Sequence, residues 1–393
     1  TLSSIAFGTM LAVIMTAVQD GAWRDMIDLA ARLGGGHVTL QHREYLETPT
    51  LSRTVEGTVE LREMALRDVD VVRVVDRITG FLMLSTAGHS YGAGFIAIDP
   101  DEEDATTLSI LEAVTEGELF ADRNSPGIIL GARLAKNLNA KLGRKLVYTI
   151  TDKNGELIRE AVRLVGIIRT GAPSVDGGIA LLPIHPLRQS IGYAPDESGQ
   201  VGLFLEDQRQ AEVVATRTEL EAGAGVAAVP WYESQADLAA FIMMKIAGAY
   251  FMEIVIAILV AAGIFNTIFV SVMERLREFG ILLAIGFSPR RLSALVLLES
   301  FWLGAVGLVA AALITAGPYY YLSTTGIPIS DLIAGGETAE VAGIAIAPIM
   351  LANLYPEKLV FIGLAALAAT LLSGLYPAWK AGRVEPVESI RLV

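Results

Sequence analysis

An acidic segment is the first place in this sequence where residue types could support metal chemistry. Residues 99–104, DPDEED, are almost entirely acidic. A calcium loop of the EF-hand type requires a glycine at its sixth position and a glutamate at its twelfth. Asp104 and Ile110 occupy those positions here. We therefore interpret the segment as a solvated acidic loop, since runs of charge usually face solvent.

Other reactive residues give no sign of catalysis or of a bound cofactor. The segment GHSYGAGF, which begins at Gly88, lacks the Lys-Ser/Thr pair and the following helix of an ATP-binding loop. The chain contains no cysteine, and its histidines share no metal-ligand spacing: His37, His42, His89 and His185. No nucleophile–base pair stands out. We therefore predict that the chain is not an enzyme, with no catalytic residue and no metal or cofactor of its own.

Long apolar runs determine where these residues can lie. The chain is 53% hydrophobic and 19% charged, with a mean hydropathy of +0.51. A helix needs about 20 apolar residues to cross the hydrocarbon core of a membrane. Four runs approach or exceed that length: 1–19, 246–273, 292–317 and 359–378. The first run lacks a charged start and a cleavage site, so we interpret it as a transmembrane helix with an incomplete N-terminus.

Two carboxylates lie inside the predicted spans. Glu253 and Glu299 each follow the predicted start of a span by seven residues. A charged group at mid-bilayer costs about 2.5–3.5 kcal/mol on insertion scales and usually faces protein or water. Each could make a polar contact that lines the bundle or a cargo path. Each could equally lie near a span end and reach the membrane surface, and the sequence leaves both interpretations open.

The distribution of Lys and Arg predicts the orientation. Basic residues concentrate in short cytoplasmic loops of membrane proteins. The segment 274–291 and the tail 379–393 are rich in Lys and Arg, whereas the connection 318–358 has none before Lys358. We therefore expect the segment and the tail in the cytoplasm, and the connection outside with the large insertion 20–245. Val341 to Leu351 is too short to span and contains a proline, so we expect it at the interface or packed on the spans.

The insertion alternates strand and helix patterns and is predicted to be an α+β domain that begins with a helical continuation of the first span. The segments 37–98 and 201–231 are predicted to form one subdomain, and about 105–200 an inserted β-rich subdomain. The fold class is therefore a membrane α-helical bundle of four transmembrane helices, with a large α+β domain inserted between helices 1 and 2.

The short segment 274–291 has the pattern of an amphipathic helix. Its apolar residues recur at helical spacing: Leu276, Phe279, Gly280, Leu283, Gly286 and Phe287. Gly286 is expected to end the helix, and Ser288 and Pro289 suit the N-cap and first position of the third span. Such a helix could rest on lipid, or its exposed side could dock in a groove of a partner protein.

Three segments resemble the FtsX-like permease superfamily of ABC transporters, which includes lipoprotein-releasing (Lol-type) and MacB-type efflux permeases. MERLREFGILLAIGFSPRRL (273–292) resembles the cytoplasmic segment of that family. GIILGARLAKNLNAKLGRKL (127–146) resembles a strand–helix segment of its external domain, and YPAWKAGRVEPVESIR (376–391) is similar to its C-terminal exit. The resemblance extends along nearly the whole chain and is closest to the Lol-type permeases.

The resemblance implies that a separate ABC ATPase, in two copies, binds the cytoplasmic helix. The residues implied in this coupling are Glu274, Arg275, Leu276, Arg277, Glu278, Phe279, Gly280, Leu283, Gly286 and Phe287. ATP and magnesium would be held by that partner. A second permease copy or paralogue would complete the complex in the bacterial inner membrane, with 37–98 and 201–231 as a porter-like subdomain in the periplasm. No nucleic acid partner is implied.

The implied activity is the extraction of lipoprotein or other lipophilic cargo from the inner membrane. Two alternatives stay open: efflux of small amphipathic compounds, and transmembrane signalling that regulates a periplasmic enzyme. One departure limits the resemblance. The chaperone-recruiting Lol-type permease has a long proline-bearing loop where this chain has the short turn 152–155. Direct transfer of cargo to a periplasmic chaperone is therefore in doubt for this chain.

Overall fold

The computed structural model describes residues 2–328, 340–341, 344–345 and 349–382. Its helices, in chain order, are α1 (Leu2–Leu33), α2 (Thr58–Ala65), α3 (Ala132–Asn137), α4 (Pro173–Gly178), α5 (Ile184–Ile191), α6 (Ala211–Ala222), α7 (Trp231–Ser234), α8 (Ala236–Glu274), α9 (Leu276–Ala284), α10 (Pro289–Thr324) and α11 (Pro356–Ala381). Short 3₁₀ turns lie at Ser109–Ala113 and Gln208–Gln210. The predictions for the tail fall mostly, and those for 318–358 partly, outside the described residues.

The strands are β1 (Val38–His42), β2 (Val71–Ser85), β3 (Ser90–Ile98), β4 (Val114–Gly117), β5 (Gly127–Gly131), β6 (Lys145–Thr151), β7 (Leu157–Ile168), β8 (Ile179–Pro183), β9 (Gln200–Leu205) and β10 (Val226–Pro230). Two-residue strands pair Ile327–Pro328 with Ile349–Met350, and Glu340–Val341 with Ile344–Ala345. The chain divides into a helical unit, Thr1–Trp23, Met243–Pro328 and Ile349–Val393, and a sheet unit, Arg24–Ile242 and Ile329–Pro348.

The sheet unit contains one continuous ten-stranded sheet. Its order is β10-β1-β9-β2-β3-β8-β5-β7-β4, and β6 pairs with both β2 and β7. β1 is antiparallel to both β9 and β10, which joins the early and late segments of the unit. The first half of β2 pairs with β9, whereas its second half pairs with β3 and β6. The sheet is therefore continuous across the predicted subdomain boundary, because β2 is long enough to serve both sides.

The core of the sheet unit is formed by side chains that alternate along these strands. The buried side chains of β2 in this cluster lie on one face of the strand, at Ile78, Leu82 and Leu84. Phe95 of β3 and Leu130 of β5 belong to the same cluster. Alternation places one face of a strand in the core and the other outside. The apolar residues of α3 and α5 pack against this buried face. This packing holds the strands in place, and the loops and hairpins project from their ends.

Among the described residues, four helices are long and apolar enough to cross a membrane: α1, α8, α10 and α11. Small residues let these helices approach closely. A Cβ atom on Gly8 of α1 would lie 2.6 Å from Val260 of α8, and one on Gly307 of α10 would lie 2.7 Å from Ile5 of α1. Close backbone approach is a main source of helix association in lipid, where hydrophobicity alone does not separate protein from solvent.

Candidate functional site

The connection between α8 and α10 is a compact turn–helix–turn. Arg275 leaves helical geometry between α8 and α9, with φ −100° and ψ 12°. At the other end, Gly286 has φ +102°, its N–H donates to Leu283 O, and the N–H of Phe287 donates to Leu282 O. This is the two-bond pattern of a Schellman motif, and the left-handed φ favours glycine. The prediction that Gly286 ends the helix is therefore confirmed.

The next helix begins immediately afterwards. The side chain of Ser288 accepts a hydrogen bond from the N–H of Arg291, and Pro289 occupies the first helical turn. The predicted N-cap and first position of the third span are thus confirmed. Because α10 begins at Pro289, Arg290 and Arg291 lie in its first turn rather than in the preceding connection. Within the predicted segment 274–291, the separate short helix is limited to Leu276–Ala284.

Arg275 joins the three helices that meet at this connection. Its Nη1 donates to both carboxylate oxygens of Glu299 on α10 at 2.9 Å, and its Nε donates to Oε2 of Glu278 on α9 at 3.1 Å. The guanidinium also lies 5.4 Å from the ring centroid of Phe279. The hydrogen bonds that Arg275 donates, first to Glu278 and then to Glu299, raise the pKa of Arg275. Glu299, which had two open interpretations, is thus the ion-pair partner of Arg275.

Two faces of α9 differ in burial. Phe279 is 2% exposed and belongs to a buried cluster with Val272 of α8, Leu292 of α10 and Ala378 of α11. Gly280 is also buried, and Leu276 and Leu283 are half-buried. The prediction of one apolar face holds for these four positions. It is wrong for Gly286 and Phe287, which are exposed because the helix ends before them.

The exposed side of α9 carries apolar residues that the sequence analysis missed. Ile281 and Ile285 are exposed, the latter by 70%, next to the exposed Arg277 and Glu278. Their i, i+4 spacing after Arg277 was a signal that could have been read from the sequence. The arrangement presents apolar and charged side chains together on one short helix. Such a surface suits a groove of a partner protein that offers both apolar and charged contacts.

Glu253 lies in a different environment. Its Oε1 accepts a hydrogen bond from Oγ1 of Thr16 on α1 at 3.2 Å. Both residues line a cavity of about 180 Å³ between α1, α8 and α11, and the remaining lining is small or apolar, including Ala12, Val260 and Phe361. Glu253 thus supplies a polar group at one point of a largely apolar cavity.

A second polar pair within the helical unit was not predicted. Lys358, in the first turn of α11, donates to Oδ1 of Asp20 on α1 at 2.5 Å, and Asp20 is buried. The ammonium group also lies 6.0 Å from the ring centroid of Tyr355. Sequence alone gave no reason to pair residues this far apart. The pair links α1 to α11, the first and last of the described helices.

The prediction of a solvated loop at 99–104 is right for Asp101 and Asp104, whose side chains are 48% and 52% exposed, and wrong for Glu103, whose side chain is fully buried. Arginines from other elements pair with its carboxylates: Arg62 with Glu102 at 2.7 Å, Arg73 with Asp104 at 2.9 Å, Arg77 with Glu103 at 2.7 Å and Arg123 with Asp101 at 2.8 Å. Hydrogen bonds from Thr106 and Arg73 lower the pKa of Asp104 to about 2. Opposite charges brought by the surrounding strands and helix neutralise the segment, which is why it packs against the sheet.

The turn between β6 and β7 is short and tightly held. Oδ1 of Asp152 accepts hydrogen bonds from the N–H groups of Asn154 at 2.8 Å and Glu156 at 2.7 Å. Lys153 forms an ion pair with the buried Glu197. Burial raises the pKa of Glu197, but hydrogen bonds, first from Lys153 and then from Thr54, outweigh it and lower the pKa overall. The turn therefore offers no long projecting loop at this position.

Family models match two parts of this chain. A family model described as "MacB-like periplasmic core domain" matches residues 1–221, and one described as "FtsX-like permease C-terminal" matches residues 250–386. The lipoprotein-releasing system transmembrane protein LolC of Xylella fastidiosa (strain Temecula1) is 21% identical over 407 residues, which covers 100% of this chain and 92% of LolC.

Two further proteins are similar to this chain. The lipoprotein-releasing system transmembrane protein LolE of Haemophilus influenzae is 19% identical over 394 residues, which covers 98% of this chain and 91% of LolE. The crystal structure of the extracellular domain of the ABC-type transporter YknZ from Gram-positive bacteria is 14% identical. The alignment covers 49% of this chain and 98% of the YknZ chain, with a TM-score of 0.35.

Proposed function

Because this chain belongs to the family of ABC transporter permeases that combine a MacB-like periplasmic core domain with an FtsX-like C-terminal region, we propose that it couples ATP hydrolysis by a separate subunit to a conformational change in the periplasm. The cargo of that movement is lipoprotein or another lipophilic molecule of the inner membrane. The chain itself binds no nucleotide, and ATP and magnesium belong to the ATPase subunits.

The observation that carries the coupling role is the environment of α9. Its inner face is fixed by the buried Phe279 and by the bonds of Arg275 to Glu278 and Glu299. Its outer face keeps Arg277 and Ile285 exposed. A helix held rigidly on one side and open on the other can receive a push from a bound protein and pass it to α8 and α10. The coupling residues are the ten named from Glu274 to Phe287, with Ile281 and Ile285 added.

The cargo proposal draws on two observations. Relatives named as lipoprotein-releasing transmembrane proteins align with nearly the entire chain. In addition, the cavity between α1, α8 and α11 is largely apolar, with Glu253, Thr16 and Thr9 as its polar lining, a composition suited to an acyl chain that carries a polar group. Two copies of the ATPase and a second permease copy or paralogue complete the proposed assembly.

Orientation is part of the proposal. With α9 and the C-terminal tail in the cytoplasm, as the basic residues predict, the sheet unit lies in the periplasm of the inner membrane. The held turn 152–156 supports a permease that does not recruit a periplasmic chaperone through this position. Such a chain could pair with a different permease that does, and this is consistent with its similarity to both LolC and LolE.

Efflux of small amphipathic compounds is the second candidate function, since the MacB-like core domain matches more than half of the chain. A signalling permease that regulates a periplasmic enzyme is the third. Depletion of the chain in its native cell separates the three. Lipoproteins retained in the inner membrane support extraction. Sensitivity to amphipathic compounds with normal lipoprotein localisation supports efflux, and silencing of a periplasmic enzyme alone supports signalling.

The docking role of α9 is tested by substitutions on its exposed side. Arg277→Glu and Ile285→Glu should prevent copurification of the ATPase and abolish its stimulation by the permease, because they change only exposed side chains. Leu220→Glu, which replaces a similarly exposed leucine on α6, is the matched control and should leave both unchanged. Normal association and turnover in the two α9 variants would contradict the docking role.

A further inference from the structure

One arginine of the sheet unit is completely buried with its charge. Arg77 of β2 and Glu103 both have side chains with 0% exposure. Nε and Nη2 of Arg77 donate to the two carboxylate oxygens of Glu103 at 2.7 and 2.9 Å, and Nη2 also donates to Thr107 O at 2.7 Å. The guanidinium lies 5.7 Å from the ring centroid of Phe204 on β9.

The third nitrogen of this guanidinium binds the end of α1. Nη1 of Arg77 donates to Arg32 O at 3.3 Å and also to Gly34 O. The last carbonyls of a helix have no donor within the helix, and their partial negative charge favours a cation. Arg77 therefore satisfies the C-terminus of α1 by hydrogen bonding and by charge, and Glu103 fixes the guanidinium that does so.

Two further side chains hold the same end of α1. Nε2 of Gln235, just before α8, donates to Ala30 O at 2.9 Å. The ring of His37 lies between Asp28 and the sheet: its Nδ1 accepts the N–H of Leu205 at 3.0 Å, so Nε2 carries the proton that it donates to Asp28 at 2.9 Å. The final turns of α1 are thus bonded to groups from several elements of the sheet unit.

The chain between α1 and β1 is packed against the sheet. Three consecutive glycines, Gly34 to Gly36, make this connection. The N–H of Gly36 donates to Ala31 O at 3.0 Å, Oγ1 of Thr39 donates to Gly35 O at 2.9 Å, and a Cβ atom on Gly36 would lie 2.6 Å from Leu203 O. A movement of the end of α1 therefore reaches the sheet through this packed turn together with the side-chain bonds of Arg77, Gln235 and His37.

A buried ion pair is also a poor means of adding stability. Removing both charges from water costs several kcal/mol per ion, and an apolar pair of similar volume often gives equal or greater stability. An apolar pair, however, has no donors for the carbonyls of α1. What distinguishes Arg77–Glu103 from an apolar replacement is therefore its hold on that helix end.

We propose that Arg77, held by Glu103, is a positioning residue of the transport cycle that clamps the end of α1 to the sheet, so that displacement of the α1 span moves the periplasmic domain. α1 is one continuous helix from Leu2 to Leu33, which lets its apolar part and its clamped end move together. This inference rests on the proposed function, since it assigns the residue through which the conformational change passes.

A matched pair of double variants tests the clamp. Arg77→Met with Glu103→Leu removes the clamp and leaves no buried charge behind. Asp76→Leu with Arg188→Met is the control, because this neighbouring buried ion pair, at 3.0 Å and with both side chains 8% exposed, joins β2 to α5 and makes no hydrogen bond to α1 among those described. Both variants should fold and retain the ATPase partner.

The functional readout is lipoprotein released per ATP hydrolysed, measured with the full complex in proteoliposomes. The clamp variant should hydrolyse ATP but release about tenfold less lipoprotein per ATP, within the usual range of coupling free energies. The control should retain normal release per ATP. Equal release by the clamp variant and the wild type would overturn the inference, as would an equal loss in the control.

A second readout needs neither ATPase nor cargo. The chain has no native cysteine, so spin labels at Arg24→Cys on α1 and Val213→Cys on α6 report one distance in the full-length permease in nanodiscs. The clamp variant should broaden this distance distribution and the control should not. An unchanged distribution would contradict the clamp. A wild-type complex that hydrolyses ATP without releasing lipoprotein would instead contradict the proposed function, and the labels would still decide on Arg77.

Discussion

Exchanging the charges of Arg275 and Glu299 should separate the transmission of movement from the stability of the fold. Arg275→Glu places a carboxylate between Glu278 and Glu299, so the attraction that ties α9 to α10 becomes repulsion. Glu299→Arg has the corresponding effect with two cations. The double exchange restores an ion pair of reversed polarity between positions 275 and 299 but leaves a carboxylate beside Glu278, so its recovery should be incomplete.

The magnitude follows from exposure. The side chains of Arg275 and Glu299 are 39% and 45% exposed, and ion pairs this accessible are worth about 0.2–1 kcal/mol. One kcal/mol changes a two-state equilibrium by about fivefold. The single variants should therefore shift the equilibrium between the fixed and the released position of α9 by about fivefold or more, because repulsion adds to the lost attraction. The rest of the fold should remain intact.

The assay is ATP turnover of the complex with its ATPase partner, compared with thermal unfolding of the same samples. Each single variant should lose most of the stimulation by the permease with little change in unfolding temperature, and the double exchange should regain much of it. The pair Arg217 and Asp70 in the sheet unit is the control, since it is similarly exposed at 46% and 33% and is 2.7 Å apart. Single variants with normal stimulation, or no recovery in the exchange, would refute the reasoning.

Three further predictions concern stability. Phe279→Ala should lower the free energy of unfolding by about 3–5 kcal/mol, because the ring is almost fully buried. Phe287→Ala, at an exposed position, should change it little. Denaturant titration in detergent measures both free energies. Gly307→Leu should lower the free energy of unfolding by about 1–3 kcal/mol, because even a Cβ atom there would lie 2.7 Å from a side chain of α1. Gly317→Leu on the same helix should be tolerated, since a Cβ atom there would meet no atom of a neighbouring element within 4 Å. Equal unfolding temperatures of the two variants would contradict this prediction. The pKa of Asp104 in the folded chain is lowered from 3.8 to about 2, so its contribution to stability is present above pH 3.8 and is lost as the pH falls towards 2. The free energy of unfolding, measured across this pH range, should depend less steeply on pH in Asp104→Asn than in the wild type. An identical pH dependence in the variant would count against the role of this carboxylate.

Local signals in the sequence were enough to predict several features of the membrane part. The four apolar runs correspond to four helices able to span a membrane, because length and hydropathy alone determine whether a helix can do so. Gly286, Ser288 and Pro289 marked the end of α9 and the start of α10 correctly. Caps depend on the backbone of a few adjacent residues, so they can be read without knowing the fold.

The partners of charged groups were decided only by the tertiary structure. Glu299 meets Arg275 because α9 folds back between two long helices, and Glu103 meets Arg77 because of how the acidic segment packs against β2. Sequence periodicity gives the face of a strand or helix on which a residue lies, but it does not give which distant element covers that face. The burial of Glu103 within the acidic segment was therefore not predicted, and the hydrogen bonds of Arg77 to the end of α1 could not be predicted before the strands were placed beside that helix end.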